Sequence, residues 1–161
     1  MQTPVIELSA GTRAFFVIVA ILSLAGAIVS GVSLQRHYAK SNTTYCDFNQ
    51  QFNCDIVNRS EWSTIAGIPV AAIGVAGYAL LFLLATVWRS RAETPTRLLV
   101  AALIGFAFAL YLTYIEKYQL MTWCILCLSS QALIFLISVF ALIIKVKITR
   151  IEARNDSSLA L

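Results

Sequence analysis

Residues 118–144 read YQLMTWCILCLSSQALIFLISVFALII, an uncharged stretch longer than the ~18–20 residues a helix needs to cross a ~30 Å hydrocarbon core. In lipid the backbone of such a stretch is satisfied only by a helix or a closed barrel, so it reads as a transmembrane helix. Yet two cysteines three apart, Cys124 and Cys127, stand at its start. A redox dithiol needs access to a protein partner, whereas an apolar run of this kind belongs in lipid. Placing that dithiol relative to the membrane surface decides both the fold and the chemistry.

Working outward, 59% of the 161 residues are hydrophobic and 12% charged, far from the roughly 45–50% and about 25% of soluble domains. Three more charge-free stretches run from Ala14 to Gln35, Trp62 to Trp88 and Leu98 to Ile115. The expected fold is an all-α membrane protein, a bundle of four transmembrane helices spanning 14–35, 66–88, 98–115 and 121–144. A long outer loop, 36–61, joins the first two, and a polar tail, 145–161, frays from Glu152 onward. One domain, 1–161, accounts for the chain. The first apolar region exceeds the ~7–15 residues of a secretory signal and lacks a small-x-small cleavage site, so it is read as retained.

Lysine and arginine fix the orientation, because they accumulate on the cytoplasmic side. With a cytoplasmic N-terminus the inner flanks hold Arg13, Arg89, Arg91, Arg97, Lys145, Lys147, Arg150 and Arg154, and the outer flanks hold Arg36, Lys40, Arg59 and Lys117. Eight against four places both termini in the cytoplasm. The +4 net charge reflects this flank bias; a clustered basic face, which nucleic acid binding would need, is not seen.

The outer loop, RHYAKSNTTYCDFNQQFNCDIVNRSE, carries the other two cysteines, Cys46 and Cys54. The fourth helix also enters from outside, so all four cysteines face one compartment, of the kind in which disulfides form and persist. An extended chain covers up to ~3.3–3.6 Å per residue, enough for Cys54 to reach across the top of a bundle. Residues i and i+3 share a helical face, which lets Cys124 and Cys127 pair, and the helix N-terminus favours a thiolate. Thiolate attack on a disulfide passes through a mixed disulfide, so two pairs in series make an electron relay.

Other readings remain open at this point. A cysteine in a membrane helix packs as a small residue, and Cys46 and Cys54 can form an inert loop disulfide; together these describe a non-enzymatic four-helix membrane protein. A four-cysteine zinc site is disfavoured by the wide first spacing, and no metal is expected. His37, just past the first helix, is placed at headgroup level. Ser60 follows Asn58, and Asn58 with Glu61 reads as a capping box. The spans hold no ionisable side chain, unlike those of most ion-coupled transporters, and no dinucleotide fingerprint is present. A lipid-facing dithiol discharges into something lipid-soluble, for which a membrane quinone, ubiquinone or menaquinone, is the natural acceptor.

The order of these features resembles the vitamin K epoxide reductase family. The carriers are YCDFNQQFNCDIVNRSEW with its Cys-x7-Cys pair and the serine six residues on, then GIPVAAIGVAGY, then WCILC at the outer start of the last helix. The match is to the bacterial branch and covers nearly the whole chain. The other disulfide-generating quinone reductases, of the DsbB type, carry the two cysteine pairs in the reverse order. The resemblance implies a membrane thiol:quinone oxidoreductase that supports disulfide formation. It implies that Cys124 and Cys127 form the catalytic disulfide, with Cys127 beside the quinone. Cys46 would exchange with a DsbA-type thioredoxin-like partner, Cys54 would link transiently to Cys124, and Ser60 would hydrogen-bond near the quinone head. It further implies the bacterial inner membrane, with the site on the periplasmic side. Trp62 also matches a family position. Val70 and Gln131 stand where vertebrate members carry an asparagine and a tyrosine that contact vitamin K, so the resemblance does not extend to epoxide reduction. The chain ends shortly after the basic flank of the fourth helix, so the partner is expected to be a separate protein.

Overall fold

A computed structural model describes residues 10–38, 47–49 and 52–159. Five α-helices organise it: α1 (Ala10–Tyr38), the short α2 (Cys54–Asn58), α3 (Val70–Thr86), α4 (Thr94–Ile115) and α5 (Ile125–Leu159). Two small antiparallel hairpins accompany them, β1 (Asp47–Asn49) with β2 (Phe52–Asn53), and β3 (Thr64–Ile65) with β4 (Ile68–Pro69). Three helical segments, Ala10–Tyr38, Thr94–Leu120 and Ile125–Arg154, are long and apolar enough to cross a membrane, while Val70–Thr86 has only 17 residues. Large apolar side chains such as Ile21, Ile28 and Leu103 point outward from the bundle, as expected where the surroundings are hydrocarbon.

Helix boundaries depart from the expected spans for identifiable reasons. The expected second span began at 66, but the helix starts at Val70. Ala66 and Gly67 both take positive φ, 51° and 80°, which closes Ile65 onto Ile68 in a two-residue hairpin turn of the kind that needs left-handed residues. Pro69 then precedes the helix, where its missing N–H costs nothing. The fourth span was expected from 121, but α5 starts at Ile125, and it continues to Leu159 with no frayed segment from 152. Apolar packing persists beyond 144, because Ile148 is buried and Lys147 lays its ammonium over the Phe15 ring, 4.7 Å from the centroid, a cation–π contact. In the connection between α3 and α4 Thr94 Oγ1 donates to the Trp88 carbonyl, 2.5 Å, and Pro95 sits in the first turn of α4.

The central core joins Phe16, Val19, Tyr78, Leu81, Leu98, Ile137 and Ile144 from all four long helices. Helix α1 packs closely on both α3 and α5, and α5 on α4, while the neighbours α3 and α4 touch more loosely. The close seam between α1 and α3 is lined by small residues: Ser23, Ser30 and Ser33 are buried, and a Cβ at Gly26 would overlap the Tyr78 ring. Small residues let helix backbones approach where no hydrophobic drive separates helix from lipid. The loose seam leaves a cavity of about 570 Å³ between α3 and α4, with α1 and α5 behind it.

Candidate active site

The chain reverses between α4 and α5 through a compact turn. Glu116–Leu120 widens into a π-helical turn, and Met121 closes it in the left-handed conformation, φ 49°. The Thr122 amide donates back to the Glu116 carbonyl, 3.3 Å. This geometry folds the carboxyl of Glu116 inward, where it is 2% exposed and accepts a hydrogen bond from the Cys124 amide, 3.2 Å.

Cys124 lies in that turn, just ahead of α5. Its carbonyl accepts the Leu128 amide, 3.0 Å, and its Sγ accepts the Cys127 amide, 3.4 Å. These are the bonds of an N-cap, with sulfur in the place usually held by a serine or aspartate oxygen. The position puts Sγ at the positive end of the α5 dipole. Hydrogen bonding from Cys127, its thiol first and its amide as well, holds the Cys124 thiol below its ordinary value, against the opposing effects of burial and of the Glu116 charge.

The segment between α1 and α3 delivers Cys54 to the same place. Phe52 bridges Trp123 in parallel, and the Asn53 amide donates to the Trp123 carbonyl, 3.2 Å. Asn53 then caps α2, its side chain accepting from the Ile56 amide, 3.0 Å. Cys54, Val57 and Cys124 are all buried and form one cluster, against which Leu120, Leu126 and Cys127 pack. Cys54 is disulfide-bonded, whereas Cys124 and Cys127 are free thiols. Cys46 lies outside the described residues.

Polar pins hold α2 on the end of α1. Ser33 Oγ donates to Asn58 Oδ1, 2.7 Å, and Asn58 Nδ2 donates to the Cys54 carbonyl, 3.0 Å. Arg36, only 4% exposed, pairs with Asp55 at 3.5 Å. His37 belongs to α1 itself and does not follow it; its Nδ1 donates to the Asn58 carbonyl, 2.6 Å, and the ring lines the cavity. The expected capping box at Asn58 does not form, because Asn58 ends α2 and its side chain is committed to Ser33 and Cys54. Ser60 precedes a 3-10 turn, Glu61–Ser63; its Oγ donates to the Val57 carbonyl, 2.8 Å, and it lines the cavity together with Trp62.

The cavity is mostly apolar, with Leu81, Ile104 and Leu112 among its walls, and Cys127, Glu116 and Ser60 are among its polar lining residues. Of the two residues at vertebrate contact positions, Val70 lines it, and Gln131 accepts a short hydrogen bond from Thr113 Oγ1. Tyr78 Oη reaches across to the Ser130 carbonyl, 2.7 Å. Donor atoms of Glu116, Cys124 and Cys127 lie within 4.8 Å of one another, one donor short of a closed four-ligand zinc site. The spacing of residues in the sequence located three of the four cysteines at this point. It did not locate Glu116, which reads as half of a charged turn beside Lys117; the available signal was a lone carboxylate eight residues ahead of Cys124.

The sequence model of the vitamin K epoxide reductase family matches residues 17–142, most of the chain. No curated relative matches it.

Proposed function

The chain belongs to the vitamin K epoxide reductase family, whose members are integral membrane oxidoreductases, and from that premise we propose that it is a thiol:quinone oxidoreductase coupling disulfide formation to a membrane quinone. In this reading a reduced thioredoxin-like partner attacks the Cys46–Cys54 disulfide at Cys46 and leaves oxidised. The Cys54 thiolate attacks Cys124 of the Cys124–Cys127 disulfide, forming Cys54–Cys124 and releasing the Cys127 thiolate. Cys46 then displaces Cys124 from Cys54, restoring the loop disulfide. The Cys124–Cys127 dithiol returns to a disulfide by giving two electrons and two protons to the quinone, which leaves as quinol. Each exchange proceeds through a mixed disulfide and needs no external base.

One observation carries the reading: Cys54 is packed in the same buried cluster as Cys124, while Cys127, one helical turn on, faces a large apolar cavity. At about 570 Å³ that cavity falls in the range of small-molecule sites, and its apolar walls suit a quinone ring and the start of its tail. A disulfide at Cys54 beside two free thiols corresponds to the stage just before quinone reduction. In the cell the reaction belongs at the periplasmic face of a bacterial inner membrane, with both termini in the cytoplasm. Purified protein in phosphatidylethanolamine–phosphatidylglycerol liposomes, given a short-tailed ubiquinone or menaquinone and a reduced DsbA-type donor, should produce quinol and oxidised donor in equal amounts. Absence of turnover with both quinones and all four cysteines intact would overturn the proposal.

A further inference from the structure

Quinone reduction moves protons as well as electrons, and the cavity is poorly furnished to carry them. Among its described lining residues Glu116 is the only carboxyl group; the other titratable side chains are His37, Tyr78 and Cys127. His37 and Tyr78 are engaged elsewhere, with the Asn58 carbonyl and with Ser130. Glu116 is different. It is buried, its carboxylate stands within 4.8 Å of both sulfurs, and among the described residues no lysine or arginine forms an ion pair with it. The neighbouring Lys117 turns its ammonium to the Tyr118 ring instead, 5.2 Å from the centroid. Burying a carboxyl away from a cation is expensive, and its hydrogen bonds from the Cys124 amide and the Cys127 thiol offset only part of that cost. A merely structural acceptor for an amide and a thiol has no need of a charge.

From this juxtaposition we infer that Glu116 is the proton carrier of the dithiol–quinone step, taking a proton from the Cys124–Cys127 pair and delivering it to a quinone oxygen. The inference rests on the quinone-reductase reading and adds a residue to it. The step balances as follows. A Cys127 thiolate adds to a quinone ring carbon, forming a C–S bond and moving an electron pair onto the ring oxygen, which takes up one proton. The Cys124 thiolate then attacks Cys127 Sγ; the S–S bond forms, the C–S bond breaks, and its electron pair leaves with the ring, which takes up the second proton. Both protons are those the two thiols gave up. Glu116 holds one between its release from sulfur and its arrival on oxygen.

Glu116→Gln separates this role from a structural one, because the amide retains an oxygen for the Cys124 N–H but cannot carry a proton. In single-turnover experiments with pre-reduced protein in the same liposomes, the variant should reduce a short-tailed ubiquinone on the order of 10²-fold more slowly, the usual scale of general acid–base assistance. Exchange of the donor with the loop disulfide, followed without quinone, should keep its wild-type rate. Glu116→Asp, which retains the carboxyl, should recover part of the quinone rate, and the quinone step of the wild type should slow in D2O. A Gln variant that reduces quinone as fast as wild type, or one that loses both half-reactions equally, would overturn the inference. If the Gln variant does not fold, an Asp variant or wild type with no solvent isotope effect on the quinone step would do the same. Failure of the wild type to reduce any quinone instead removes the reading beneath it, so the two failures are distinguishable.

Discussion

Two buried clusters divide the work of this molecule. The larger, around Phe16, Leu98, Ile137 and Ile144, is hydrocarbon from all four long helices. The smaller, at one end, consists of Cys54, Val57 and Cys124. The first is held mainly by close packing; its polar tie is the Tyr78 hydroxyl, which reaches out to Ser130. The second has little apolar area of its own; it is held by the hydrogen bond Asn58 donates to Cys54, by those Asn53 and Glu116 accept from the Ile56 and Cys124 amides, and by the Arg36–Asp55 pair. Packing therefore sets the scaffold, and directional bonds place the sulfurs on it.

Substitutions should break the two clusters in opposite ways. Phe16→Ala removes a fully buried ring and should lower stability by about 3–5 kcal/mol, read by thermal or detergent unfolding, while the surviving folded protein still exchanges disulfides. Cys127→Ala should abolish quinone turnover and leave the unfolding transition close to wild type. If both variants lost stability and chemistry together, the division would be wrong. A smaller effect is expected at the pins: Asn58→Ala strands Ser33 Oγ and the Cys54 carbonyl, a loss of about 1–3 kcal/mol, and should loosen α2, seen as faster hydrogen exchange over 54–58 with little change elsewhere.

The sulfur cluster should also respond to pH where the core does not. Since the Cys124 thiol is held below its ordinary value chiefly by the Cys127 thiol, its thiolate stays populated as pH falls below the ordinary thiol range, about 8.5. In a Cys46→Ser/Cys54→Ser background, the alkylation rate of Cys124 against pH should have its midpoint below that range, and adding Cys127→Ala should move the midpoint upward. An unmoved midpoint would assign the shift to the helix end instead. The smallest effect is expected from Ser60→Ala, which removes one hydrogen bond to the Val57 carbonyl, about 1 kcal/mol, with a modest change in quinone KM.

Sequence reading did well where hydrophobicity or covalent chemistry is the signal. The apolar stretches mark the long helices, and the position of Cys124 and Cys127 at the head of the last one follows from where charge ends. It did less well where the backbone leaves regular geometry. A charge reads as the end of a span, which puts Arg36 and His37 beyond α1, although the helix runs through them to Tyr38 and turns them toward α2. Glu116 was assigned to a turn because the π-helical widening and left-handed Met121 that bring it inward have no pattern in hydropathy. The hairpin at Ala66–Gly67 was legible in principle, from a glycine two residues ahead of a proline, but the apolar residues around it concealed it within a helix. Asn58 reads as a cap, but its side chain is committed to Ser33 and Cys54, and it is Asn53, next to the bridge of Phe52 with Trp123, that caps α2.

The contact between the loop cysteine and the Cys124–Cys127 pair carries the proposed relay, and disulfide trapping measures it. In Cys127→Ala, Cys124 has lost its partner and should attack the loop disulfide at Cys54, so that non-reducing peptide mapping of membranes recovers a Cys54–Cys124 link with Cys46 as a free thiol. A loop disulfide at Cys54 that never changes partner, with Cys124 remaining a free thiol throughout, would contradict it.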